Sequence, residues 1–477
     1  MLFIFWSIIP LSVFADEVVF SKSYGGSEND FAYSIGQTSD GGFIVCGQTD
    51  SYGNGKEHSP DMWIIKLDEK GTKVWDKTFG GMEGDVAYSV RQTNDLGYVI
   101  AGTTSSFGKG YPSMWIIKLD AKGDSLWSVL FEGSIVSSAH SVGLTGEGGY
   151  IVAGKGKENI LKLDKNGNKE WGQHYGWIIY SVEQTRDGGY IAAGDSVYKQ
   201  LEWDYLPSLY IIKLDKNGNK EWSNPLGNNF LGSVFDIHQT SDGGYILSGD
   251  SIAKKSEYDH SHHAMSVKLD RSGEVRWKYF GSEYSGAENI SQTADGAYIM
   301  AGNTIDNEHG LNILIVRLDQ NGKENWTRSY GNLMQWEYAS SIQPASDGGY
   351  VVAGQTESFG AGKYDWWILK LDGNGNLEPT GTFDPVESGS HVPAISCIYP
   401  NPFKKSTTLV LNLPEPGFVR LTVYDIFGKK KETLFEGNLP PGETKMHWTP
   451  ENQADGVYIC HLYHGDYVET QRIVMLK

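Results

Sequence analysis

Cysteine is nearly absent: Cys46, Cys397 and Cys460 are the only three in 477 residues. They form no CxxC pair and no Cys/His spacing of a zinc site, and three thiols make no disulfide framework. Cys46 stands where sister segments carry Ala, so it reads as a small buried hydrophobe. Cys397 and Cys460 read equally well as a bridge or as two buried thiols. Basic charge is also scarce, with 40 Lys and Arg against 59 Asp and Glu, a net −19. Residues 393–477 are balanced, so residues 1–392 carry all of it. Such a surface repels phosphate backbones and anionic lipid, which excludes nucleic acid as a partner. Long apolar runs are missing too. Leu2–Phe14 is too short to span a bilayer and nothing later is longer, so no transmembrane anchor is expected. With small residues at Val13 and Ala15, Met1–Ala15 reads as a signal peptide, although no Lys or Arg precedes Lys22. No amphipathic helical period occurs, and no GxSxG, HExxH or Walker phrase.

Glycine is abundant at 59 residues, and aromatics make up 13%. Both serve a repeat. A turn followed by an apolar strand recurs seven times: SDGGFIVCG (39–47), NDLGYVIAG (94–102), GEGGYIVAG (146–154), RDGGYIAAG (186–194), SDGGYILSG (241–249), ADGAYIMAG (294–302) and SDGGYVVAG (346–354). Each is followed by a WIIKLD-like strand, and six of these by a Trp: Trp75, Trp127, Trp171, Trp222, Trp277 and Trp326. Asp-Gly-Gly and Asp-Lys-Asn-Gly-Asn are tight-turn sequences, because Gly and Asn accept positive φ. Each unit therefore reads as a four-stranded antiparallel meander. Seven such units 40–55 residues apart predict an all-β fold, a seven-bladed β-propeller. The seventh unit lacks its Trp strand. Val19–Gly26 lines up with Val74–Gly81, so Val18–Tyr24 is expected to pair with Trp366–Asp372 and close the ring.

The YIVAG…IIKLDKNGNKEW phrase resembles the repeat of quinoprotein-type propellers over residues 18–376. The resemblance implies the fold. It does not imply the quinone, since members with that cofactor usually have eight blades and an adjacent cysteine pair, both missing here. Leu377–Val392 reads as a Pro/Gly/Ser linker. After it, Tyr399-Pro400-Asn401-Pro402-Phe403, the strand Val419–Ile426 ending in Phe427-Gly428-Lys429, Gly456-Val457-Tyr458 and the terminal Arg472–Lys477 resemble the type A sorting domain of the bacterial type IX secretion system. That resemblance implies an Ig-like sandwich over 393–477 and export. The signal peptide would carry the chain across the inner membrane. The type IX machinery would carry it across the outer membrane, to be released or attached at the surface. The expected domains are 1–15 signal peptide, 16–376 propeller, 377–392 linker and 393–477 sorting domain.

Function is expected on the face that receives the long, variable loops. These carry Tyr52, His58, Phe107, Tyr111, Trp203, Tyr205, Tyr258, Phe359 and Tyr364, aromatics suited to stacking on sugars or gripping a protein. The alternative is that they pack against their own rim. Asp259-His260-Ser261-His262-His263 is the densest His group and the candidate transition-metal site. Asp30 and Asp85 recur in GGxxxD, with Glu337 near a third equivalent. They read as caps of loop N–H groups or as calcium ligands. No cofactor other than calcium is suggested. The leading expectation is a non-enzymatic, surface-exported propeller that binds a polysaccharide or protein. The rivals are a secreted glycosidase or lyase with carboxylates in the channel, and a spacer without ligand.

Overall fold

The computed structural model describes residues 19–55, 59–132, 136–176, 178–195, 199–201, 204–206, 209–224, 226, 231–254, 260–305, 310–331, 335–377, 394–399, 403–413, 416–425, 429–450, 454, 456–464 and 467–475. The expected signal peptide and nearly all of the expected linker lie outside them. The described elements are all strands. They fall into two compact units, divided after Leu377.

The first unit is a propeller of seven four-stranded antiparallel sheets. Blade 1 runs Asp30–Gln37, Phe43–Thr49, Asp61–Leu67 and Lys73–Phe79, paired in chain order. Blades 2 to 6 repeat this order, beginning at Asp85, Ser138, Ile178, Leu231 and Ser285. Blade 7 consists of Glu337–Pro344, Tyr350–Thr356 and Asp365–Leu371, and its fourth strand is Phe20–Tyr24 from the start of the chain. Phe20 lies opposite Lys370 and Tyr24 opposite Trp366.

The second strands open on a run of mostly apolar residues because both faces are covered there. Phe43 and Val45 join a core with blade 7, whereas Ile44 and Cys46 join the core with blade 2. Among the described residues seven such cores exist, one between each pair of neighbours, the last uniting Val351, Ala353, Trp366 and Ile368 of blade 7 with Ala32, Ile35 and Trp63 of blade 1. The repeated fourth-strand Trp sits at six of the seven seams. Trp75 stands edge-on to Tyr98 of the next blade at 5.6 Å, and the same pairing recurs at Trp127–Tyr150, Trp171–Tyr190, Trp222–Tyr245, Trp277–Tyr298 and Trp326–Tyr350. At the seventh seam Phe20 takes the Trp place, 6.2 Å from Phe43. The turn glycine of the following blade lies beneath each ring. A Cβ on Gly123 would sit 2.9 Å from Trp75, and one on Gly71 would sit 2.7 Å from Phe20.

The lysine of the WIIKLD phrase is a structural residue. Lys118 is buried, pairs with Asp95 of its own Asp-containing turn at 3.0 Å, and donates to Leu119 O. Lys66, Lys213, Lys268 and Lys370 repeat the arrangement with Asp40, Asp187, Asp242 and Asp347.

The second unit has a three-stranded sheet (Ala394–Tyr399, Thr407–Leu413, Gly442–Trp448) and a four-stranded sheet (Lys430–Leu439, Gly417–Asp425, Gly456–His464, Tyr467–Met475). Leu409, Leu411 and Trp448 of the first share one core with Leu421, Cys460 and Leu462 of the second. The Cys397 side chain lies outside the described residues.

Candidate functional site: the propeller channel

The first strands of successive blades touch one another around the axis. Each carries a β-bulge at the same place: after Ala32, Ala87, Ala139, Ile179, Val234, Ala287 and Ala339. A bulge places one extra residue outside the ladder and re-aims its side chain. Here the extra residues are Tyr33, Tyr88, His140, Tyr180, Phe235, Glu288 and Ser340. Five follow one another as ring contacts around the channel: Tyr33–Tyr88 at 5.3 Å, Tyr88–His140 stacked at 5.1 Å, His140–Tyr180 at 5.4 Å and Tyr180–Phe235 at 5.6 Å. Each of these rings is half-buried. Phe31, on the same strand as Tyr33, meets Tyr364 at 5.5 Å, and Trp336 meets Tyr338 at 6.3 Å.

Beyond the bulge a polar ring locks the strands together. Ser34, Ser89 and Ser141 each accept the backbone N–H of the next blade, from Val90, Val142 and Val182. At the equivalent place in blade 5 stands Asp236, which accepts from Ser181, Ile290 N and Asn289 Nδ2. His238 lies 2.9 Å from both Asp236 and Glu183. Burial opposes its charge, but the two carboxylates outweigh burial and raise its pKa well above the ordinary imidazole value. Burial likewise opposes ionisation of Asp236, and His238 with the hydrogen bonds holds it below the ordinary range. His140, by contrast, is pushed down to about 4 by desolvation, with Lys155 adding to it. It is neutral at pH 7 and stacks as an aromatic. Desolvation, assisted by Asp250, pushes Glu288 up to about 7. Asp195 rises to about 7 for the same first reason, with Asp250 again contributing.

The loop aromatics named from sequence occupy several settings. Tyr52, Phe107 and Phe359 are equivalent residues of blades 1, 2 and 7, and each lies against its own blade's Trp: Trp63 at 5.1 Å, Trp115 at 5.2 Å and Trp367 at 5.0 Å. All three keep a third or more of their surface exposed, and Tyr111 is exposed by 54%. Tyr364 joins the channel series through Phe31. Trp203, Tyr258 and His58 lie outside the described residues. Tyr205 is in the short strand Asp204–Leu206, paired with Lys199–Leu201, and its side chain is not described.

The histidine group is corrected. The sequence suggests that Asp250–Ala264, and with it His260, His262 and His263, is one of the long variable loops. Instead His260–Leu269 is a strand that pairs with Tyr245–Lys254, with Ile252 opposite His262 and Ser251 opposite His263. Adjacent strand residues face opposite ways. His262 therefore meets Asp250 at 3.2 Å, while His263 meets Gly281 O and Ser261, both at 3.1 Å. These two imidazoles do not converge. The His260 side chain is outside the described set. Asp30, Asp85 and Glu337 all begin inner strands and are fully buried.

The channel residues escaped sequence reading, yet a signal was there. Each bulged residue stands ten positions before the aromatic that follows the turn, from Tyr33 and Phe43 to Ser340 and Tyr350. A column of Tyr, Tyr, His, Tyr and Phe at that offset breaks strand alternation.

Residues 397–476 match the family described as the secretion system C-terminal sorting domain. The chain thus carries a type IX sorting tail and is delivered to the cell surface or extracellular space. Among the described residues no helix is long and apolar enough to cross a membrane. No curated protein matches the chain. Solved structures similar to it include a protein of unknown function from Bacteroides caccae, 15% identical, covering 60% of this chain and 93% of its own, with a TM-score of 0.38. The Pan2 WD40 domain of Neurospora crassa is 11% identical, covers 75% and 96%, and scores 0.46. YCF48 bound to D1 peptide is 12% identical, covers 73% and 96%, and scores 0.45.

Proposed function

We propose that this chain is a surface-exported binding propeller whose ligand is a neutral glycan, held by the aromatic channel and entered from the long-loop face. The reading rests on the succession Tyr33, Tyr88, His140, Tyr180 and Phe235, since sugar rings stack on aromatic faces. The net charge of −19 selects against acidic polymers. Tyr52, Phe107, Tyr111, Phe359 and Tyr364 would extend the contact outward. Met1–Ala15 would start the export route and the C-terminal unit, read as an Ig-like sandwich, would complete it with the type IX machinery.

A glycan array on the purified protein tests this reading. Tyr88→Ala and Tyr180→Ala should each weaken binding by roughly 5–30-fold, as loss of one stacking ring removes about 1–2 kcal/mol. Retained binding in both variants would reject the channel, and an empty array would reject the glycan in favour of a protein partner. A second reading, hydrolysis, draws on Glu288. A carboxyl with a pKa near 7 beside an aromatic track suits a general acid. Turnover of a bound glycan, lost in Glu288→Gln, would favour it.

A further inference from the structure

Asp30 begins the inner strand of blade 1, and Asp365 begins the third strand of blade 7. Both are almost fully buried, at 0% and 2% exposure. Asp30 Oδ2 accepts from Gly26 N and from Ser51 Oγ, each at 2.8 Å, and Asp365 Oδ2 accepts from Gly362 N at 3.0 Å. The Oδ1 atom of each is buried with no close hydrogen-bond partner, though the Thr49 hydroxyl stands beside the Asp30 carboxyl. The two carboxyls close on one glycine: a Cβ on Gly25 would lie 1.8 Å from Asp365 Oδ1 and 2.7 Å from Asp30 Oδ2.

One blade further on the arrangement repeats. Asp85 Oδ2 accepts from Gly81 N at 3.0 Å and Ser106 Oγ at 2.6 Å, and Asp61 Oδ2 accepts from Asn54 N at 2.6 Å. Their Oδ1 atoms are again buried and unpartnered. A Cβ on Gly80 would meet Asp61 Oδ1 at 1.9 Å and Asp85 Oδ2 at 2.7 Å. Among the described residues none of the four carboxylates joins an ion pair.

Two like-charged buried pairs, each with two orphan oxygens, require a counter-charge. The donors are all hard oxygens, which suits calcium rather than a thiol- or imidazole-seeking metal. The blade 6–blade 7 interface offers a contrast, for around Gly331 stand Asn312 and Glu337, one charge fewer.

We propose that Asp30 with Asp365, and Asp61 with Asp85, are two calcium sites. Each bridges adjacent blades, one on either side of blade 1, and so fastens the ring next to the strand supplied by the chain's beginning.

The test is calorimetric titration of the chelator-stripped full chain with calcium chloride at pH 7 and fixed ionic strength, paired with thermal melts. Two ions should bind with dissociation constants of roughly 10⁻⁵–10⁻³ M, and saturation should raise the melting temperature by roughly 2–8 °C. Asp61→Asn and Asp365→Asn should each lose one ion. In chelator these variants should melt no lower than the parent, because a like charge has gone, and in calcium they should melt below it. No heat and no calcium-dependent shift in the parent would overturn the proposal. So would an equal shift with magnesium, or a calcium shift that both variants retain. Should a variant fail to fold, terbium emission sensitised by Trp63 and Trp366 reads occupancy in the parent itself, and its absence overturns the sites.

Discussion

Removing the strand Phe20–Tyr24 should open the propeller at its last seam. Phe20 fills the place that Trp holds in six other blades and covers Gly71. Val19 is buried at 6% exposure, Tyr24 donates to Gly71 O, and Ser21 Oγ accepts from Trp367 Nε1 at 2.8 Å. The ladder bonds to Asp365–Leu371 contribute about 1 kcal/mol each, which the cost of ordering five residues roughly cancels. The net gain therefore comes from side chains. Val19, and Phe20 and Tyr24 at half burial, contribute about 3–6 kcal/mol, a large share of the 5–15 kcal/mol that typically separates folded from unfolded states. Phe20→Ala alone should cost about 2 kcal/mol, half the penalty of a fully buried Phe, and lower the melting temperature by roughly 4 °C. The assay is urea unfolding followed by Trp fluorescence, with limited proteolysis of the truncated chain. Truncation should expose Trp366 and Trp367 and yield an early transition in blade 7. If the truncated protein unfolds at the parent's midpoint, the pairing carries no closure energy and the reasoning fails.

Three further outcomes follow from the same geometry. Gly123→Ala should destabilise more than Gly148→Ala: both have φ near +84°, but only Gly123 lies under a Trp, and a difference of about 1 kcal/mol in urea unfolding would report that contact. Asp95→Ala should cost about 1–3 kcal/mol by leaving buried Lys118 with only a carbonyl, whereas Lys118→Met should cost under about 1, since Asp95 is 59% exposed and remains solvated; the opposite ranking of midpoints would refute the burial argument. His238→Ala should cost about 3 kcal/mol at pH 7 and change the pH profile of stability. The Asp236 contribution, from a depressed pKa, is full above the ordinary carboxylate range and fades as pH falls through the folded value. The His238 contribution, from a raised pKa, is full below the ordinary imidazole value and fades as pH rises through the folded one. The parent should therefore be most stable between these limits, and the variant should lose both slopes. Equal profiles in chemical denaturation across pH would count against the pair.

The meander and its count were legible in the chain because they are local. Asp-Gly-Gly and Asp-Lys-Asn-Gly-Asn dictate tight hairpins wherever they occur, and strands with consecutive apolar residues must be covered on both faces. The likeness of Val19–Gly26 to Val74–Gly81 named the partner of Asp365–Leu371 across almost the whole propeller. The sorting tail was equally plain, since its motifs are contiguous. The channel was not legible. Tyr33 and its counterparts face the axis only because a bulge re-aims one side chain per blade, and a bulge is a property of paired strands. The His260–His263 group was misplaced because hairpin length depends on cross-strand partners that sequence does not display. Asp30 and Asp85 were visible as a recurring acid, but their partners Asp365 and Asp61 come from the third strand of the preceding blade. Short-range turn chemistry and apolar pattern thus determined the repeat, while the ring alone decided which charges and aromatic faces meet, because those encounters lie across blade seams between residues distant in the chain.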